Sequence, residues 1–459
     1  MSEAGKITII ANNIKGNAKG QVRYDAKKIS NTSGGTFTQN GKDKGVAYGK
    51  AEERKSPVKV AQAITKVKKI ELITTLEDGS ANDKSGGIQK GMIFGKTYEF
   101  RVKSYTEKEP QNKSEIKWML KYHSLSKNKW QEINLKARGD VLKLFVNEKD
   151  MCGRFVYIKA YINDSEAEGQ LKIWMHNRFR WFDRMLVQEQ AEERGKEPWR
   201  IDQGNTSLCG MASLFYLLAK KDGKGYIKLT KELLRTGEYK YNDYIIMPHE
   251  NAQIMYSANP YKDKDYPKLP EVDWLTLACV RSKESSFFGK LLYKGKKGQD
   301  AEAINWPTLM KPLSKTLLGY TDVKMDYYKV NKSYLRDFFG SDEKLRILEK
   351  DINADFKNGY EICLLIDGSM VAYQAEANYS LDDFSEYHWV VYEGGLKMLN
   401  AKKIIETDYD EVTDIEFNVF TWGSLRNDTI DSKKSKKMPK IKLTKNQFRS
   451  NYYGYLKLK

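Results

Sequence analysis

The sequence predicts an α+β protein of more than one domain. Three observations point there: a length of 459 residues, a change from patternless to alternating sequence near residue 70, and a helix-then-strand order after residue 200. A chain this long exceeds the roughly 100–200 residues of a usual single core. Hydrophobic residues make up 40% and aromatic residues 12%, far above a disordered composition, so a packed core is expected.

Residues 1–68 are rich in Gly, Asn, Ser, Thr and Lys and hold no sustained period of 3.6 or 2, which reads as a polar N-terminal arm serving delivery or loading. A solubilising tail is the alternative. The first 70 residues carry 15 Lys or Arg against 5 Asp or Glu, so ten of the net charge of +18 sit there. Charge of this sign favours anionic partners without choosing among them. A nucleic-acid role would rest on charge alone and is disfavoured.

Residues 69–177 show short alternating runs: Tyr98, Phe100 and Val102; Ile116, Trp118, Leu120 and Tyr122; Val156, Ile158, Ala160 and Ile162; Leu171, Ile173 and Met175. Period-2 runs between Gly, Asn, Asp and Ser clusters predict an immunoglobulin-like antiparallel β-sandwich, a spacer or docking module. Residues 178–200 read as a helix followed by a linker, with Phe182, Met185 and Leu186 at helical spacing. From 201 to 459 comes an α+β domain. Helices are predicted over Met211–Lys220, Ser333–Phe339 and Glu343–Phe356, and strands over Ile362–Ile366, His388–Tyr392 and Ile415–Trp422. The Lys-rich run 432–445 reads as a solvated loop.

The four cysteines, Cys152, Cys209, Cys279 and Cys363, stand singly, without CxxC pairs or zinc-type spacing. No metal or other cofactor is therefore expected. No apolar stretch approaches the roughly 18–20 residues that span a bilayer, and the N-terminus lacks a classical secretory signal, so no integral membrane segment is expected and synthesis is placed in the cytoplasm.

One cysteine has a distinctive setting. In Asp202-Gln203-Gly204-Asn205-Thr206-Ser207-Leu208-Cys209-Gly210, small and polar residues precede an apolar helix, which puts Cys209 at the helix N-terminus. Backbone N–H groups and the helix dipole there favour a thiolate, and Gln203 is placed to supply a side-chain donor to an oxyanion hole. Of the four histidines, His123 and His176 belong to the sandwich, His249 to an apparent exposed loop, and His388 opens the strand Tyr387-His388-Trp389-Val390-Val391-Tyr392. A strand holds an imidazole rigidly, as a general base requires. A structural reading of Cys209 as a small buried hydrophobe competes with the catalytic one.

These residues resemble the papain-like cysteine peptidase superfamily. The likeness lies in a Gln six positions before the nucleophile with Gly after it, Cys opening a helix, a distant His followed by an aromatic and two Val, and the Trp422-Gly423 pair. The resemblance implies Cys209 as nucleophile, His388 as base and Gln203 as oxyanion donor. Where that family orients its His with Asn, this chain has Phe420. Asn418 is the first candidate for the third role, Asp414 the second, and a bare Cys-His pair remains open. Cys152, Cys279 and Cys363 read as core residues.

The segments QNGKDKGVAYGKAEERKSP and TTLEDGSANDKSGGIQKGMIFGKTYEFRVKSY resemble parts of Bacteroidetes-type type VI secretion effectors. That resemblance implies a polymorphic toxin, held in the bacterial cytoplasm before export into a target cell, with the secretion machinery and an immunity protein as partners. The expected activity is Cys-His hydrolysis of an amide or peptide bond in a protein or peptidoglycan substrate. A peptidoglycan amidase or endopeptidase and a side-chain deamidase are alternatives on the same fold. An envelope or interaction protein with a degenerate papain-like fold is the non-enzymatic one.

Overall fold

Alternation governs the first described half of the chain. The computed structural model describes residues 65–260, 262–285, 292–327, 341–371, 387–421 and 440–459. The chain divides into two units, Met1–Gln62 and Ala63–Lys459, and all described residues belong to the second. The arm expected over 1–68 thus lies almost wholly outside the described residues, while Val67 and Lys68 already form the first strand.

Nine strands occupy residues 67–175. They are β1 (Val67–Leu72), β2 (Glu77–Ser80), β3 (Ile88–Gly91), β4 (Thr97–Tyr105), β5 (Lys117–Ser124), β6 (Lys129–Arg138), β7 (Val141–Phe145), β8 (Arg154–Tyr161) and β9 (Gly169–Met175). They pair as a three-stranded sheet β1-β4-β7, a four-stranded sheet β6-β5-β8-β9 and a hairpin β2-β3, every pairing antiparallel. The alternating residues do what their period requires: Tyr98, Phe100, Val102, Trp118, Leu120, Val156 and Ile158 all enter one core shared by the two larger sheets. Trp118 keeps its indole N–H satisfied on the Gly139 carbonyl at 2.8 Å.

The helix expected within 178–200 is present, and it is part of the core rather than the lead-in to a linker. Asp183 caps helix α1 (Arg184–Lys196), its carboxylate accepting from the N–H groups of Met185 and Leu186. Val187 and Ala191 of α1 are fully buried. The tie that holds α1 is ionic: Arg194 makes a two-pronged pair with Asp273, at 2.9 and 2.7 Å, with both residues buried. Asp273 belongs to helix α4, residues 271–283, which contains a π turn at Trp274–Ala278. At the other end of α1, Glu271 of α4 accepts the Asp183 N–H at 2.7 Å.

Helix α2 (Cys209–Lys221) is buried along its whole length from Cys209 to Ala219, which explains an apolar run without a polar face. Helix α3 (Gly223–Thr236) is amphipathic and ends at Gly237, whose φ of 79° is the left-handed closure that glycine adopts freely. A short hairpin follows, β10 (Tyr239–Tyr241) and β11 (Tyr244–Ile246).

The C-terminal sheet has seven antiparallel strands: β12 (Val323–Tyr327), β13 (Glu361–Asp367), β14 (Tyr387–Tyr392), β15 (Lys397–Leu399), β16 (Asp414–Phe420), β17 (Lys440–Thr444) and β18 (Tyr452–Leu458). Their order is β12-β18-β13-β14-β16-β15, with β17 also on β16. Strand β17 corrects part of the loop expected over 432–445: Ile441 and Leu443 are buried because β17 closes against β16. The helix expected over Ser333–Phe339 lies outside the described residues. One face of the sheet, with Trp389, Val391 and Phe420, packs on the α2 core; the other, with Val390, Tyr392 and Val419, forms a second core beneath the C-terminal helices. The described chain is thus mixed α+β with several antiparallel sheets.

Burial pushes the Glu271 carboxyl up to about 8, with the nearby Asp183 charge adding to the shift. The folded state therefore keeps a proton that the unfolded chain releases near pH 4.5. The stability from neutral Glu271 is complete below that pH and is lost as pH rises through about 8. Urea unfolding midpoints should fall between pH 6.5 and 8.5, above the window of Asp273, which burial raises to about 6. Glu271→Gln should flatten that fall. An unchanged slope in the variant would assign the pH dependence elsewhere.

Candidate functional site

The loop before α2 is pinned to the buried ion pair. The Asp202 N–H donates to Asp273 Oδ2 at 3.2 Å, and Gly204 donates back to Asp202 Oδ1 at 2.8 Å. Gly204 has φ +54°, and a Cβ there would stand 2.6 Å from Leu269 Cδ2, so both conformation and space call for glycine. Gln203 and Thr206 then lock to each other. The Gln203 amide donates to the Thr206 carbonyl at 2.6 Å, and the Thr206 hydroxyl donates to the Gln203 carbonyl at 2.7 Å. Gln203 is buried, and its side-chain oxygen has no hydrogen-bond partner among the described residues.

Cys209 opens α2 as expected, and the helix start is built around a buried asparagine. Asn305 is 2% exposed. With its amide oxygen toward the Met211 N–H (2.8 Å) and its nitrogen toward the Ala303 carbonyl (3.1 Å), both ends of the amide are satisfied. It thereby supplies an acceptor to one of the first N–H groups of α2, which lack partners inside the helix. Its own carbonyl accepts the Trp389 indole N–H at 2.8 Å, which ties the helix start to β14. Gly210 lies against it: a Cβ there would fall 2.5 Å from Asn305 Cβ and 2.7 Å from Met310 sulfur.

This packing brings the thiol to the strand that carries the candidate base. The Trp389 backbone N–H favours the Cys209 thiolate, and Trp389 directly follows His388. His388 is buried, and its Nε2 lies 2.8 Å from the Thr421 hydroxyl. The register between β14 and β16 ends at Val391 opposite Phe420, so Thr421 directly follows the last pair and His388 lies three residues beyond it on β14.

The electrostatics differ from the expected thiolate. Burial pushes the Cys209 thiol up to about 11, outweighing the N–H groups of Trp389, Gly210 and Cys209 itself, which favour the anion. Burial also lowers His388 to about 4. At neutral pH the resting site holds a thiol and a neutral imidazole. The helix N-terminus is present, but desolvation wins.

The remaining candidates lie elsewhere. Asn418 exchanges backbone hydrogen bonds with Glu393 and Gly394 at the far end of β14, five residues and about 16 Å of strand from His388. Asp414 faces Lys403 (2.5 Å) and the Thr413 hydroxyl (2.7 Å), and the Lys403 ammonium holds its carboxyl below the usual range. Neither is brought to the imidazole. His249 is not a plain loop residue; it caps the turn Glu250–Ser257, its Nδ1 accepting the Asn251 N–H at 3.1 Å. Cys152, Cys279 and Cys363 are fully buried, and burial raises each thiol. Trp422 and Gly423 lie outside the described residues. Among the described residues no group of three or more His, Cys, Asp or Glu could hold a metal ion.

Thr421 and Asn305 were not singled out from sequence. Thr421 had a signal, since in the sequence it directly precedes the Trp-Gly pair. Asn305 had none, because its partners Met211 and Trp389 are 94 and 84 residues away. Compared with models of protein families and with curated protein sequences, the chain matches none.

A thiol raised from 9 to about 11 should react with iodoacetamide at pH 7.5 about a hundredfold more slowly than an ordinary cysteine, and faster as pH rises toward 11. Mass-spectrometric labelling at Cys209 measures this. Rapid labelling that is flat above pH 7 would show a preformed thiolate instead.

Proposed function

We propose that this chain is a papain-like cysteine hydrolase, with Cys209 as nucleophile and His388 as general base. The observation that carries the reading is the seat of Cys209: it opens a buried helix whose core it shares with Trp389, the residue next to His388. Because both groups rest neutral, attack is coupled to proton transfer. His388 takes the thiol proton as sulfur bonds to the amide carbon, then returns it to the leaving nitrogen; water hydrolyses the thioester. The Cys209 N–H and Gln203 amide are the oxyanion donors, which requires the Gln203–Thr206 bond to be shared or exchanged when substrate enters. Thr421, rather than Asn418 or Asp414, takes the orienting role, supported by its 2.8 Å contact with His388 Nε2.

The substrate class in this reading is an amide or peptide bond in a protein or in peptidoglycan. The likeness of the arm and sandwich segments to type VI effectors supports delivery into a target cell, with an immunity protein in the producer and the immunoglobulin-like sandwich as docking module. Among the described residues no helix is long and apolar enough to cross a membrane.

Hydrolysis of target-cell proteins and of purified peptidoglycan, followed separately by mass spectrometry, tests the reading. Cys209→Ala and His388→Ala should each abolish turnover without additive effect. Gln203→Ala should lose about 10²–10³ in kcat, and Thr421→Val about tenfold, with Thr421→Ser near wild type. Asn418→Ala should be silent. Full activity in folded Cys209→Ala would refute the hydrolase.

A further inference from the structure

The outer face of the sheet β6-β5-β8-β9 has an unusual composition. Alternate residues of its strands turn inward to the core, among them Trp118, Leu120, Tyr122, Val156 and Ile158. The others turn outward and form rows across the sheet. His123 pairs with Trp130, and Phe155 with Trp174; because Tyr122 pairs with Val156, His123 comes beside Phe155. Trp130, His123, Phe155 and Trp174 thus form one aromatic row over all four strands.

Ring centroids are 5.6 Å apart for His123–Trp130 and 5.2 Å for Phe155–Trp174, and Tyr157 of the next row lies 5.9 Å from Trp130. Trp174 is buried, with Gly91 of β3 against its ring, so the open row runs from Trp130 to Phe155, about 10 Å at about 4.8 Å per strand and near the length of two sugar rings. Trp130 is 52% and Phe155 42% exposed, so no described element covers the middle of the row. The next row reads Glu132, Lys121, Tyr157, Lys172, and the third Asn134, Met119, Lys159, Gln170. Lys172 Nζ stands 4.1 Å from the Phe155 ring centre and Lys121 Nζ 5.8 Å from that of Trp130. A contiguous exposed aromatic patch marks a binding surface, and ammonium groups held on its rings make it cationic as well as apolar.

Charge selects the occupant. A second copy of a chain with net charge +18 is repelled, and an anion is attracted. Yet Lys121 is paired with Glu132 and Lys159 with Glu166, both at 2.5 Å, so carboxylates stand within the lysine rows. A nucleic acid, with a charge on every phosphate, needs several of them neutralised together and would meet those carboxylates. A polymer with sparser charge, apolar C–H faces and many hydroxyls fits better. Its faces would lie on the rings, its hydroxyls on the Asn134 and Gln170 amides, and its carboxylates on Lys172. We propose that this face binds an acidic glycan strand.

The test uses the full chain in affinity gels containing hyaluronate, which carries a carboxylate on alternate sugars, with hydroxyethylcellulose, poly(U) and phosphatidylglycerol vesicles as the other arms. Hyaluronate should retard the protein, and Trp130→Ala and Phe155→Ala should each weaken binding at least tenfold with unchanged thermal melting. Lys172→Gln, which leaves the rings in place, should weaken it severalfold and reduce its salt dependence. Phe145→Ala, at an aromatic 55% exposed on β7 of the other sheet, should bind as wild type. Absence of retardation, or variants binding as wild type, would overturn the proposal. So would equal or tighter binding of poly(U) or vesicles through the same residues, or equal binding of the neutral glucan.

Discussion

Asn305 holds two halves of the C-terminal region in register. Its amide meets the Met211 N–H at the start of α2, and its carbonyl meets the Trp389 indole on β14. Both contacts are buried, where an unmet polar group costs about 1–3 kcal/mol, so helix and strand are held at one separation rather than a range. Gly210 makes the approach possible by having no Cβ to meet Asn305. The reading proposed for Cys209 and His388 depends on this junction, which fixes the start of α2 against β14.

A second constraint acts on the approach to the site. The Arg194–Asp273 pair joins α1 to α4, and its carboxylate also holds the Asp202 backbone, one residue before Gln203. A buried ion pair is weak evidence for net stability, but losing one partner leaves a costly charge, about 3–5 kcal/mol. The loop that carries Gln203 is therefore anchored at its start by an ionic contact, tied inside by the Gln203–Thr206 bonds, and ended by the helix. Such a loop holds the Gln203 amide on the Thr206 carbonyl in the resting state.

Burial also sets the resting chemistry. The same packing that places Cys209 against Trp389 removes water from it, and desolvation exceeds the helix-terminus effect. His388 loses water as well, and its nearest described hydrogen-bond partner is a neutral hydroxyl, which stabilises an imidazolium less than a carboxylate would. The sandwich presents the opposite situation: its core is ordinary, while its outer face leaves aromatic rings in water with cations upon them.

Local pattern was enough for much of this protein. Period-2 runs such as Tyr98-Phe100-Val102 became buried strand positions, the apolar run from Met211 became a buried helix, and Cys209 stands at its start, because strand and helix periodicity follow from the side chains of near neighbours. Where sequence reading went astray, distance was the cause. The charged end of the helix in 178–200 read as the start of a linker because its charge is visible, whereas the partner that buries Arg194 is 79 residues away. Asn418 read as the third site member because it lies two residues before Phe420, yet the β14–β16 register carries it to the opposite end of the strand. Thr421, Asn305 and the protonation state of Cys209 were settled only by tertiary packing. Which groups meet, and how much water is left between them, is a property of the folded chain rather than of any window of its sequence.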